Sequence, residues 1–75
     1  TQTARVRREK RAKGKLVTVV GNLDPEGNDL DALANHLKTR CSAGGTVKEG
    51  AIEIQGDHVA TVESALRALG YKTRT

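Results

Sequence analysis

Histidine and cysteine, the side chains best suited to metal binding and nucleophilic chemistry near neutral pH, are few in this sequence. The candidates are His36, Cys41 and His58, with Asn22 in a loop after the first long apolar run. His36 and Cys41 are five residues apart in a stretch with helical periodicity, so they do not share a face, and His58 is remote in sequence. That is not the spacing of a metal site. Cys41 falls on an apolar stripe and reads as a small buried hydrophobe rather than a nucleophile. Gly44 and Gly45 lead out of a helix into a strand. Phosphate-cradling loops run from a strand into a helix N-terminus, so these glycines read as a helix stop and turn. Gln55-Gly56-Asp57 has the right polarity, but its acidic residue disfavours phosphate and it reads as a structural corner. An acylphosphatase-like hydrolase would need an Arg in the loop after the first strand, and Gly21-Asn22-Leu23-Asp24 supplies Asn22 without it. With no Phe, Trp or Met, and Tyr71 as the only aromatic, a deep apolar pocket is not expected either. These residues offer no catalytic constellation and no metal site.

Charge is the chemistry that remains. Residues 1–15 hold Arg5, Arg7, Arg8, Lys10, Arg11, Lys13 and Lys15 against Glu9 alone, a net +6, whereas residues 16–75 carry six basic and eight acidic side chains, a net −2. A basic segment on a mildly acidic domain points to a polyanionic partner. The competing reading is a solvated tail whose charge only aids solubility. A single cysteine cannot close an internal disulfide, which suits a reducing compartment. No apolar stretch approaches the roughly 20 residues of a membrane span, and no signal-peptide-like apolar run follows the basic start. A cytoplasmic protein without a membrane partner is expected.

The elements that must carry these charges follow from periodicity. Lys15 to Val20 reads as a strand with Val17 and Val19 on one face and Leu16, Thr18 and Val20 on the other; both faces are largely apolar, which suits a central strand. Gly21 to Gly27 has the turn residues of a loop. Leu30, Leu33, Ala34, Leu37 and Cys41 form one face of a helix capped by Asn28 or Asp29 and stopped at Ser42 to Gly45. Thr46 to Lys48 and Ala51 to Gln55 flank a tight hairpin at Glu49-Gly50, and Ile52 and Ile54 alternate with Glu53 and Gln55. Asp57 is placed to cap a second helix with Val59, Val62, Leu66 and Leu69 inward, ending near Gly70, and Tyr71 to Arg74 reads as a last strand.

The predicted fold is an α/β two-layer sandwich of order β-α-β-β-α-β, with two helices on one face of a mixed, mostly antiparallel sheet. Residues 1–14 are expected as a basic flexible arm and 15–75 as the folded domain. At 75 residues such a domain buries only about 60% of the surface its unfolded chain exposes, so its core is thin. RNA recognition motifs, ferredoxin-like domains and acylphosphatases share this element order, so order alone decides little about function. The strands Leu16 to Val20 and Ala51 to Gln55 hold no aromatic ring on which a base could stack. Nucleic-acid binding would then rest on phosphate contacts and shape.

The run Cys41-Ser42-Ala43-Gly44-Gly45-Thr46-Val47-Lys48-Glu49-Gly50, followed by Ile52-Glu53-Ile54-Gln55-Gly56-Asp57 and an amphipathic helix, resembles eukaryotic translation initiation factor 1 and its archaeal and bacterial relatives. The resemblance covers roughly residues 13–75, and the short Glu49-Gly50 hairpin is more like the archaeal and bacterial branch. It implies a two-layer α/β domain that is not an enzyme, has no catalytic residue and needs no cofactor, binds small-subunit ribosomal RNA near the peptidyl site, and influences start-site selection or its regulation; a monomer is expected. Initiator tRNA or mRNA near that site are the further partners it implies. By position it assigns RNA contact to Arg8, Lys10, Arg11, Lys13 and Lys15 and, on the first helix, to Lys38 and Arg40. Arg5 and Arg7 join the set through the charge count, and Lys48 as a charge on a rigid strand. A general RNA-binding or RNA-chaperone domain without ribosomal specificity is the alternative.

Overall fold

Leu16–Gly21 is flanked by strands on both sides, the central place expected of it. The structure is a computed structural model and describes residues 3–23, 29–48 and 50–74. In chain order the elements are β1 (Thr3–Lys10), a 3-10 turn (Ala12–Gly14), β2 (Leu16–Gly21), α1 (Leu30–Cys41), β3 (Gly45–Lys48), β4 (Ala51–Gln55), α2 (Val59–Ala68) and β5 (Lys72–Arg74). The sheet runs β3-β4-β2-β1-β5, antiparallel throughout except for the parallel pair β1 and β5. Both helices cover the same face, giving the expected sandwich.

The stretch expected as an arm is part of the sheet. Thr3–Lys10 pairs with β2 on one side and with β5 on the other, with Val6 opposite Val20 and Ala4 opposite Thr73. Ala4 and Val6 are completely buried in the core. Without β1 the order would be β3-β4-β2-β5, that of a split β-α-β pair; β1 inserts between β2 and β5, so β5 pairs with it in parallel.

The core lies between the covered face and the helices: Val6, Val20, Ile52 and Ile54 from the sheet meet Leu33, Ala34 and Leu37 of α1 and Val62, Ala65 and Leu66 of α2. Leu69, expected inward, is half exposed, because α2 ends at Ala68. There the chain reverses through Gly70 at φ +94°, closed by Tyr71 N–H to Leu66 C=O (3.0 Å) and Gly70 N–H to Arg67 C=O (3.0 Å). Ala65 takes the inner position instead.

Asp29 caps α1, its carboxylate accepting from Ala32 N–H at 3.1 Å; Asn28, the Gly21 to Gly27 loop beyond Leu23, and Glu49 lie outside the described residues. The cap of α2 differs from expectation. His58 holds the N-cap position without a capping side chain, and the work is done from β2. The fully buried Thr18 hydroxyl accepts from His58 N–H and donates to Gly56 C=O, both at 2.8 Å. Asp57 is thereby released to the surface.

Candidate nucleic-acid interface

Pairing fixes where each charge stands. On β1, Arg5, Arg7 and Glu9 project from the open face, and Arg8 and Lys10 from the covered face beyond Val6. Arg11 N–H donates to Lys15 C=O at 2.7 Å and closes the β1–β2 hairpin. Its tip places Lys13 at φ +63° and Gly14 at φ +73°. A lysine in the left-handed region is uncommon and strained.

Carboxylates divide the basic residues into two groups. Glu9 contacts Arg7 (2.6 Å) and Arg11 (2.9 Å), Glu53 contacts Arg11 (3.0 Å), and Asp57 contacts Arg8 (3.0 Å). These pairs are exposed and worth about 0–1 kcal/mol each, so a phosphate can take over the arginines at little cost. Among the described residues, Arg5, Lys10, Lys13, Lys15, Lys38, Arg40 and Lys48 form no ion pair. Lys10, Lys13 and Lys15 thus leave the hairpin end of the sheet with unneutralised positive charge.

The same end holds the last turn of α1, with Lys38 and Arg40. Ser42 at φ +51° ends the helix, with Ala43 N–H bonded to Lys38 C=O at 3.1 Å, and the chain enters β3 at Gly45. A Cβ on Gly45 would stand 2.6 Å from Glu53 C=O, 2.8 Å from Ile54 Cδ1 and 3.3 Å from Lys38 Cγ. Only glycine fits there, and the half-buried stem of Lys38 lies over it, which restricts where its ammonium points. Lys48 stands apart, at the far end of β3 in the row Lys48, Ala51, Gly21, Arg5.

The open face between these ends carries Val17, the buried Val19, Thr46, Glu53 and Gln55, and no aromatic ring. Cys41 packs against the core, and burial raises its thiol above the ordinary value against the opposing pull of Arg40. Among the described residues no three His, Cys, Asp or Glu side chains gather so as to hold a metal, and no helix is long and apolar enough to cross a membrane.

Sequence reasoning missed Lys72 and Arg74. Both lie on the open face, and Arg74 is directly opposite Arg5. Their spacing of two residues in a strand was legible; the neighbour was not, because it is a parallel partner almost seventy residues away.

The fold and its surface define a small α/β domain whose distinguishing feature is a structured basic hairpin beside the end of a helix. The sequence profile described as translation initiation factor SUI1 matches residues 1–72, and the chain belongs to that family. It is similar to proteins described as protein translation factor SUI1 homolog from Picrophilus torridus (42% identity, 88% of this chain and 68% of that protein), Thermoplasma volcanium (42%, 95% and 72%) and Thermococcus onnurineus (44%, 93% and 71%). This is a family of translation factors rather than of enzymes, and the role of the chain lies in translation initiation.

Proposed function

We propose that the chain binds the RNA of the small ribosomal subunit with its hairpin end and thereby influences start-site selection. One observation carries this reading: the unpaired Lys10, Lys13 and Lys15 stand on a hydrogen-bonded hairpin at the same end of the sheet as Lys38 and Arg40. Phosphates are alike in every RNA, so selectivity needs charges at fixed spacing that match one folded target. A hairpin within a sheet supplies fixed spacing; a free arm does not. Arg7, Arg8 and Arg11 join by exchanging their carboxylates for phosphates. Arg5 and Lys48 extend the contact along the open face, and initiator tRNA or mRNA at the peptidyl site are further partners of this reading. The domain acts as a monomer, in keeping with its short edge strands β3 and β5, which bear Lys48 and Lys72.

Sedimentation with purified small and large subunits at low and moderate salt tests the proposal. The expected result is co-sedimentation with small subunits that weakens with salt, with little on large subunits. Equal recovery on both would leave a general RNA-binding domain.

A further inference from the structure

We propose a second phosphate site at the opposite end of the open face, built by Arg5, Arg74 and Lys72, which takes the backbone of a bound RNA strand. The inference rests on the RNA-binding reading and adds a site to it. Arg5 and Arg74 are directly opposite one another on neighbouring strands, and Lys72 follows on the same face two residues before Arg74. Like charges so placed repel. Strand spacing puts the Arg5 and Arg74 backbones about 5 Å apart. Among the described residues no carboxylate neutralises any of the three, whereas Arg7, one step along the same face, is held by Glu9.

The surroundings suit a polymer backbone. Thr3, Arg5, Asn22 and Arg74 line an open polar hollow of about 490 Å³. Asn22, at φ +62°, donates its side-chain N–H to Thr3 C=O at 2.8 Å and fastens the start of β1 to the end of β2, so it positions Arg5. Beside Arg5 the sheet is low: Gly21, with nothing within 4 Å of where a Cβ would stand, then Ala51. A chain can therefore lie close to the sheet from Arg74 past Arg5 toward Lys48. Guanidinium groups grip phosphate oxygens two at a time, and the face has no ring for base stacking, so backbone contact is the favoured mode.

The test is an NMR titration of the full chain with a short oligouridylate, following the side-chain Nε–Hε signals of Arg5 and Arg74 and the amides of Gly21 and Asn22. These signals should shift saturably and together, and far less with inorganic phosphate or polyglutamate at matched charge. In parallel, the double variant Arg5→Ala, Arg74→Ala should flatten the log-log salt dependence of oligouridylate binding by about 1.4, two contacts at about 0.7 each. Shifts confined to Lys13 and Lys15, with an unchanged slope, would overturn the second site and leave the hairpin reading intact. Equal shifts with inorganic phosphate or polyglutamate would also overturn it, as a plain counterion or acidic-peptide surface. If Arg5 and Arg74 respond as expected while the protein ignores small subunits, the site stands and the ribosomal reading falls.

Discussion

Val6 and Arg7 are adjacent in β1 and lie on opposite faces of one sheet. Val6 is completely buried under α2, and Arg7 is exposed beside Glu9. The covered face is held by burial of aliphatic side chains; the open face adds Val17 and the buried Val19, surface ion pairs and unpaired cations. One strand serves both. Anchoring Ala4 and Val6 in the core is what turns a run of basic residues into charges at fixed positions.

Substitutions on the two faces should therefore separate stability from binding. The largest loss is expected for Leu37→Ala or Leu66→Ala, about 2–5 kcal/mol in denaturant unfolding, since both side chains are fully buried. Val6→Ala should cost about 2 kcal/mol from its two buried carbons. A loss under about 0.5 kcal/mol, the level of an ordinary surface change, would mean that β1 is not anchored. Thr18→Val should cost about 1–3 kcal/mol, because it leaves His58 N–H without its acceptor. At the hairpin tip, Lys13→Gly should raise stability by about 0.5–1 kcal/mol by relieving a left-handed lysine, yet weaken RNA binding. Opposite signs in the two assays would set hairpin function against backbone preference; equal RNA affinity would remove Lys13 from the interface. The smallest stability change, within about 0.5 kcal/mol, is expected for Lys10→Ala, Lys13→Ala and Lys15→Ala combined.

The same contrast explains what was legible in the sequence. Both helices, their apolar stripes apart from Leu69, and the alternation of Ile52 and Ile54 follow from local period, and they are found where expected. The two apolar faces of Leu16 to Val20 identified the central strand. β1 was hidden because its apolar set is only Ala4 and Val6 among charges, and what makes it a strand is pairing on both edges with distant segments. Thr18 capping α2 from forty residues away, and Arg74 meeting Arg5, are equally nonlocal. Leu69 was misassigned by extending a helical period past the turn at Gly70. Among the candidate binding residues, identity was read from charge and from position in the family resemblance. Which of them are already paired with carboxylates required coordinates, since Glu53 and Asp57 reach Arg11 and Arg8 across more than forty residues.

The central claim, that a basic surface fixed by the fold selects the small ribosomal subunit, is tested most directly by competition. Labelled protein on small subunits is challenged with unlabelled small subunits, large subunits and unstructured RNA at matched phosphate concentration, for the unmodified chain and for a Lys38→Glu, Arg40→Glu variant. Small subunits should compete best against the unmodified chain. The variant should lose affinity for small subunits much more than for unstructured RNA, because its charges are part of the fixed pattern. Equal competition by all three for the unmodified chain would contradict the account.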